Sequence, residues 1–270
     1  MATPALDLQQ LRKRAHLSYS QIQSYLSCPR QYHYRYVQHI KSLHRNSGQV
    51  FGKALHQTLE WFYINHEKPA VADLHENFGF SWQQQLNQPT PIRFPETESP
   101  ESLLKTGMAL LTAFKEDAPV YPEIIEVEQP FSFEVIDFKT GEVLPPLIGA
   151  FDLVVRDDAG HIIVIDHKVV KSRWSEGQLA QSLQLSTYHY AAELLGYGNV
   201  GLGVQLFLKQ KTPKFAALYT SRTASAHQDI IQTAIGVTRA IDAGVNYPVR
   251  SWMCDGCAYK EQCDNERSIP

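Results

Sequence analysis

Apolar residues recur at helical spacing through the first half of the chain. Between residues 50 and 66 they line one face of a predicted helix, at Phe51, Leu55, Leu59 and Phe62. Ser18 followed three residues later by Gln21 is typical of a capping box, so it predicts that an earlier helix begins there. Pro29 then breaks that helix or restarts a second one.

The pattern changes to short apolar runs in the second half, which predicts a sheet. Strands are predicted at 123–128, 131–135, 148–155, 161–168, 201–208 and 216–220. Further helices are predicted at 72–87, 101–115, 179–195 and 225–243, with a surface loop over 88–100. Together these elements predict an α/β (α+β) fold with a central mixed β-sheet flanked by helices.

The composition favours a globular protein with one large domain or two small ones. The 270 residues are 43% hydrophobic and 20% charged, which suits a packed core. A net charge of −3 and a pI near 6.4 argue against a broadly basic nucleic-acid coat protein but not against a nuclease. Positive charge is local, at 12–14, 168–173 and 209–214. No apolar run reaches membrane length and residues 1–16 lack a signal-peptide core, so we expect a cytoplasmic protein.

Two strongly apolar segments carry three charged residues. These are Asp152 in the first segment and Asp166 and Lys168 in the second. If residues 158–160 form a three-residue hairpin loop, counting back places Asp152 opposite Asp166, with Lys168 on the same face. Neighbouring carboxylates repel unless a cation lies between them, and Mg²⁺ or Mn²⁺ suits such oxygen ligands. The alternative is a structural salt bridge on a half-buried sheet.

The four cysteines form an asymmetric set. Cys28 is alone near the start, whereas Cys254, Cys257 and Cys263 cluster near the end. A disulfide framework is not expected in a chain of this size without a secretion signal. Four thiolates suit either a tetrahedral zinc site or a 4Fe–4S cluster.

The charged hairpin resembles the signature of the PD-(D/E)XK nuclease superfamily, and other segments resemble its RecB-like exonuclease branch. The segments that carry the resemblance appear in order along residues 17–263: Leu17-Ser18-Tyr19-Ser20 with Tyr25 and Cys28-Pro29, Gly52-Lys53-Ala54-Leu55-His56, Asp152, Asp166-His167-Lys168, Gln184-Leu185-Ser186-Thr187-Tyr188, and the three C-terminal cysteines. The chain is thus similar to the CRISPR-associated and AddB-type nucleases that carry a four-cysteine iron–sulfur cluster. The resemblance implies a restriction-endonuclease-like core.

The resemblance also implies roles for single residues. The metal ligands would be His56, Asp152, Asp166 and the backbone carbonyl of His167, with Lys168 as the catalytic lysine. A hydrogen-bonded core histidine is the alternative for His56. His167 stands where the family often has an aromatic residue, and we expect its side chain to face away from the metal. Val169-Val170 replaces the family's usual Thr-Gly.

Several residues have two interpretations from sequence. Gln184 and Tyr188, one helical turn apart, would position DNA or brace the site, and ordinary helix packing is the alternative. Glu128 is either an auxiliary acid or an exposed strand carboxylate. The tyrosines beside arginines at 30–36 could stack on bases, or could pack internally.

The resemblance implies one nuclease domain over 1–270. In it, 17–48 and 246–270 form a subdomain that binds an iron–sulfur cluster through Cys28, Cys254, Cys257 and Cys263, with zinc as the alternative, and 49–245 form the nuclease core with a helical insertion at about 67–118. The expected activity is metal-dependent exonucleolytic cleavage of single-stranded DNA or DNA ends, in CRISPR adaptation, recombination, repair or a phage role. A helicase or a CRISPR integrase is an expected partner. The alternatives are an inactive nuclease-like DNA-binding subunit and a ferredoxin-like redox protein.

Overall fold

The computed structural model describes residues 7–65 and 69–266. Within them the α-helices are α1 (Leu8–Leu11), α2 (Tyr19–Ser27), α3 (Pro29–Tyr32), α4 (Ser47–Ile64), α5 (Val71–Leu86), α6 (Pro100–Asp117), α7 (Glu176–Ala180), α8 (Leu183–Leu194), α9 (Ala224–Asp242) and α10 (Lys260–Asn265). The strands are β1 (Leu17–Ser18), β2 (Arg45–Asn46), β3 (Ile92–Arg93), β4 (Glu123–Asp137), β5 (Glu142–Arg156), β6 (Ile162–Val170), β7 (Gly201–Leu208) and β8 (Lys214–Thr220). None of the helices in these ranges has the length and apolar character that a membrane crossing requires.

The structure has a central mixed sheet, as the sequence predicts, and this sheet has six strands. The order is β1-β5-β6-β7-β8, and β4 pairs with the other edge of β5. The β4–β5, β5–β6 and β7–β8 pairs are antiparallel, whereas β1–β5 and β6–β7 are parallel. The two short strands β2 and β3 pair separately. The central sheet is therefore the scaffold on which the charged hairpin lies.

Helices cover both faces of the sheet. One apolar core joins the sheet to α2, α8 and α9, and includes Ile22, Leu185, Ile230, Val154 and Val164. The second core joins it to α4, α5 and α6, and includes Phe51, Phe78, Leu110, Val155 and Ile165. Successive residues of β5 and β6 enter opposite cores because side chains alternate along a strand. This explains why both strands are apolar almost throughout.

The predicted helical insertion is a pair of helices packed on α4. Its residues 67 and 68, like residue 66 of the predicted 50–66 helix, lie outside the described residues. The Phe51 ring of α4 packs edge-on against Phe78 of α5, with centroids 5.6 Å apart. Gly107 of α6 lies so close to the Phe78 ring that an added Cβ would be 2.0 Å from it. The insertion therefore covers the outer side of α4.

Three predicted elements differ from the structure. The two strands predicted at 123–128 and 131–135 form one strand, β4. Within the described residues β4 pairs with β5 alone and is an edge strand, where Pro130 is tolerated. The helix predicted at 179–195 is two, α7 and α8. Arg222 donates to the backbone oxygens of Leu179 and Ser182 at the break, at 2.8 and 3.3 Å. The predicted loop at 88–100 contains β3.

Candidate active site

The sheet forks beside Asp152. On one edge of β5, β6 pairs with residues 153–156, and β1 pairs with Leu147 and Ile148. Between these pairings, within the described residues, 149–152 has no strand partner on that edge. The backbone amide of His167 instead donates to Oδ2 of Asp152 at 2.8 Å. The carboxylate thus lies in the gap where two strands diverge.

The hairpin has the register predicted from its loop. Asp157 donates its backbone N–H to the oxygen of His161 at 3.0 Å, and Gly160 has a φ of +85°. Leu153 pairs with Ile165, so one step further along the strands Asp152 faces Asp166. A three-residue loop with glycine at its left-handed position produces this register.

Asp166 is held by three side chains from two elements. Its Oδ1 accepts hydrogen bonds from Lys168 Nζ at 3.0 Å, Gln184 Nε2 at 2.9 Å and Tyr188 OH at 3.4 Å. Gln184 also donates to the Tyr188 hydroxyl at 3.1 Å. Tyr188 is only 4% exposed, and its hydroxyl faces this carboxylate. This is the contact that the predicted bracing role requires.

A second group of possible ligands lies on the α4 side of the fork. His56 Nε2 is 3.0 Å from the carbonyl oxygen of His167, and His56 Nδ1 is 3.5 Å from Asp152 Oδ2. The His167 imidazole was expected to face away from the metal, but its Nδ1 is 3.8 Å from the same Oδ2. One ligand atom from each of these three side chains lies within 4.8 Å of the others. Asp166 is not in that tight group.

This donor set fits a divalent cation. Oδ2 of Asp166 is buried and receives no hydrogen bond, although Lys168 Nζ lies 2.9 Å away. Carboxylates, imidazole and a backbone carbonyl are ligands for Mg²⁺ or Mn²⁺. The residues that would hold such an ion are His56, Asp152, Asp166 and the His167 carbonyl, which are the residues that the sequence predicts.

Burial changes the protonation of the site. Burial raises the pKa of Asp152 to about 6, although the nearby His56 opposes the rise. Burial also tends to lower the pKa of Lys168, but Asp166 and Asp152 outweigh it and the pKa is raised. Burial, followed by the charges of His56 and Lys168, lowers the pKa of His167 well below its usual value. At neutral pH the lysine is therefore an ammonium, and His167 is a neutral imidazole.

Glu128 belongs to the site and is not an exposed strand carboxylate. Val127 pairs with Leu153 and Gln129 with Phe151, so Glu128 lies across from Asp152. Its φ of +51° is strained for a residue with a Cβ, and such strain is common at functional sites. Burial, followed by the charges of Asp152 and Glu60, raises its pKa to about 8. Neither the strain nor the burial has a signal in the sequence.

Tyr19 also lies near Lys168 and Asp166, and it was not among the site residues predicted from the sequence. Burial raises the pKa of this tyrosine, Lys168 opposes the rise, and Asp166 adds to it. Tyr19 begins α2 directly after β1, the strand that forms one side of the fork. The signal that could have identified it was its place in the Leu17-Ser18-Tyr19-Ser20 segment. By contrast, Tyr32 and Tyr34, 7% and 1% exposed, pack internally.

The four cysteines lie together although Cys28 and Cys254 are 226 positions apart in the sequence. All four line one small cavity, and none forms a disulfide. Burial raises the pKa of the Cys257 thiol, and its three cysteine neighbours add to the rise. Arg30 joins the two chain ends by donating from Nε to the oxygen of Asn246 at 2.7 Å and pairing with Glu266.

A second histidine group lies away from the fork. His189 and Glu193 of α8 face His227 of α9, with ligand atoms within 4.8 Å of one another. Nδ1 of His189 and Nε2 of His227 are 2.7 Å apart and share a hydrogen bond. Nε2 of His189 is also 3.2 Å from the Asn199 side-chain oxygen. These hydrogen bonds account for the group as a link between α8 and α9.

The fold and this site together define a nuclease of the restriction-endonuclease-like class, and the comparisons agree. The family model described as PD-(D/E)XK nuclease superfamily matches residues 16–264. The chain therefore belongs to the PD-(D/E)XK nuclease superfamily.

Two solved structures are similar in fold. One is a protein from Eubacterium rectale described as a "Putative exonuclease", with 11% identity and a TM-score of 0.58 over 96% of this chain and 93% of that one. The other is SSO0001, with 14% identity and a TM-score of 0.39 over 95% of each chain. No curated protein matches the sequence.

Proposed function

We propose that the chain is a metal-dependent DNA exonuclease that hydrolyses phosphodiester bonds in single-stranded DNA or at DNA ends. Mg²⁺ or Mn²⁺ would be held by His56, Asp152, Asp166 and the His167 carbonyl. The observation that carries this proposal is the juxtaposition of His56, Asp152 and that carbonyl with the Asp166–Lys168 pair across one fork in the sheet. A structural salt bridge between Asp166 and Lys168 does not require His56 or Asp152 beside it.

The chain's own groups have separate tasks in this proposal. When bound, the metal would polarise the scissile phosphate and lower the pKa of a water molecule. Lys168 places its ammonium beside Asp166, where it can stabilise negative charge that develops on the phosphate. Gln184 and Tyr188 keep the Asp166 carboxylate in one orientation. Lys168 and Asp166 lie on the same strand of the hairpin. The hairpin therefore positions both the lysine and the metal ligand with which it pairs.

Two basic segments support a nucleic-acid substrate. Segments 168–173 and 209–214, which the sequence marks as basic, meet at the ends of the parallel strands β6 and β7. The amide of Lys209 donates to the oxygen of Val170 at 2.8 Å. Lys171 and Arg173 are exposed beside this contact. Such a local patch attracts phosphates even though the net charge of the protein is −3.

We propose that the cysteine cavity holds an iron–sulfur cluster, with zinc as the alternative. Zinc bonds of about 2.3 Å in a tetrahedron require sulfurs about 3.8 Å apart. In the described part of the chain, no three cysteine sulfurs form a group within 4.8 Å. A 4Fe–4S cluster holds its four thiolates around a larger body. In this proposal the cluster joins 17–48 to 246–270 as one subdomain beside the nuclease core.

The test is cleavage of end-labelled single-stranded, double-stranded and circular DNA with Mg²⁺, Mn²⁺ or EDTA. We expect linear DNA to be degraded only with metal, and circular DNA to resist. Lys168→Ala should lower cleavage at least about 100-fold, whereas Lys139→Ala, in an exposed turn, should not. Binding of DNA without cleavage by the wild-type protein would support the inactive DNA-binding subunit. The helicase or CRISPR integrase partner and the cytoplasmic location remain predictions from the sequence.

A further inference from the structure

The His167 ring lies on the same side of the fork as His56 and Asp152. Only the backbone carbonyl of His167 was expected to bind the metal. We propose that His167 Nδ1 is itself a metal ligand and that this second imidazole gives the site a preference for Mn²⁺ over Mg²⁺. The inference rests on the proposed function, because it concerns the same site. It assigns a new donor and the identity of the preferred metal.

Ligand-to-ligand distances carry the proposal. Nδ1 of His167 and Nδ1 of His56 are 3.8 and 3.5 Å from the same Asp152 Oδ2. Both distances are too long for good hydrogen bonds. Two ligands of one ion with bonds of about 2.1 Å lie between about 3.0 and 4.2 Å apart. The two imidazoles thus face one carboxylate at the separations that a shared ion imposes.

Packing holds the His167 ring in this direction. The ring lies parallel to Tyr63, with an interplanar angle of 1° and centroids 5.8 Å apart, and packs edge-on against His56 and Phe207. Its side chain is 3% exposed. A rotation of the ring away from Asp152 would therefore disrupt the second apolar core.

The far side of the ring supplies the partner that a metal-binding histidine usually has. Nε2 of His167 and Nε2 of Gln205 are both buried without a hydrogen-bond partner, and the two side chains are neighbours. A Gln205 amide turned to present its oxygen to the ring would accept the Nε2 proton of His167, and its nitrogen would then face Tyr63, whose hydroxyl oxygen can accept. With the proton on Nε2, the lone pair of Nδ1 is free to bind a metal.

The metal preference follows from the chemistry of the donors. Mg²⁺ favours oxygen ligands in a near-ideal octahedron. Imidazole nitrogens favour transition metals, and carboxylates accept Mn²⁺ as well as Mg²⁺. A site with two imidazoles and two carboxylates should therefore bind Mn²⁺ more tightly relative to Mg²⁺ than a site with one imidazole.

The experiment counts the nitrogens bound to Mn²⁺ in the full-length protein by electron spin echo envelope modulation. We expect two coupled imidazoles in the wild type and one in His167→Phe, which keeps an aromatic ring against Tyr63. The Mn²⁺ affinity of this variant, from titration by electron paramagnetic resonance, should fall at least about 10-fold, and the Mg²⁺ affinity should fall less. His167→Asn places an amide oxygen near the Nδ1 position, so it should lose one nitrogen and shift the preference toward Mg²⁺. It also carries the test if the phenylalanine variant does not fold.

His75→Phe is the matched control. His75 is half-buried on α5, and its Nε2 contacts the Met108 oxygen at 2.9 Å, away from the fork. One coupled imidazole in the wild type, or two in both His167 variants, would overturn the inference and leave the proposed function intact. Failure of the wild-type protein to bind Mn²⁺ or Mg²⁺ would overturn both.

Discussion

The carboxylate of Asp152 accepts the backbone N–H of His167 at 2.8 Å, across the point where β5 and β6 diverge. A side chain thus occupies a position that a strand backbone would take in a regular ladder. The carbonyl and the ring of the same His167 lie on the α4 side of the fork, beside His56. This hydrogen bond therefore links the divergence of β5 and β6 to the arrangement of the possible metal ligands.

Substitutions of Asp152 should separate its structural role from its metal role. Asp152→Asn keeps an oxygen that can accept the His167 amide, whereas Asp152→Ala leaves that amide without a partner. We expect both variants to lose metal binding, measured by Mn²⁺ titration. In EDTA the alanine variant should have the lower free energy of unfolding, by about 1–3 kcal/mol. Equal stability of the two variants would show that the hydrogen bond has no structural role.

The neutral form of Glu128 should stabilise the metal-free protein. Its folded pKa of about 8 lies above the usual value of 4.5, so this group favours folding below pH 4.5, and the benefit is lost progressively as pH rises from there through 8. Glu128→Gln should therefore raise the free energy of unfolding in EDTA, and the gain should be larger at pH 9 than at pH 6 by at least about 1 kcal/mol. Glu126→Gln, at an exposed position of the same strand, is the control. A gain in unfolding free energy that is independent of pH would contradict the buried placement of Glu128.

Tyr188→Phe should reduce turnover without weakening DNA binding. The substitution removes only the hydroxyl that contacts Asp166 at 3.4 Å, and the buried ring keeps its packing against Phe151. We expect kcat to fall several-fold with KM for DNA unchanged, because the hydroxyl orients a metal ligand. Gln184→Leu should lower kcat further, since its amide contacts both Asp166 and Tyr188. An increase in KM at constant kcat would instead indicate direct contact with DNA.

Loss of one cysteine should loosen both ends of the chain. Cys28→Ser should lower the iron content and the visible absorbance of the purified protein. Because the site closes a very long loop, its loss should also lower the melting temperature by several degrees. Limited proteolysis should then cleave the tail after Val245 sooner than in the wild type. Retained stability after removal of the iron would mean that the cluster has no structural role.

Gly149→Ala should destabilise the sheet beside the fork. An added Cβ would lie 2.4 Å from the Phe131 ring, which is buried against Phe151 and Tyr188. Overpacking of this kind costs about 1–3 kcal/mol in the free energy of unfolding, measurable by urea denaturation. Gly236→Ala is the matched control, because a Cβ there meets no atom within 4 Å and alanine favours helix α9. Equal unfolding free energies for the two variants would contradict this packing.

Local sequence patterns were enough to predict the hairpin and the placement of its two acidic residues. Alternation along two strands and a three-residue loop set the register of Asp152 and Asp166, because a hairpin is short and its geometry is local. The Ser18 capping box was likewise readable from two residues, and it is present at the start of α2.

Long-range packing places the other groups at the site. Glu128 lies across from Asp152 because β4 pairs with β5, and it has a positive φ there, while the His167 ring packs against Tyr63, which is about a hundred positions away. The fork itself arises where β1, from the start of the chain, replaces β6 along one edge of β5. Such contacts join elements that are far apart in sequence, so periodicity and local propensity cannot predict them.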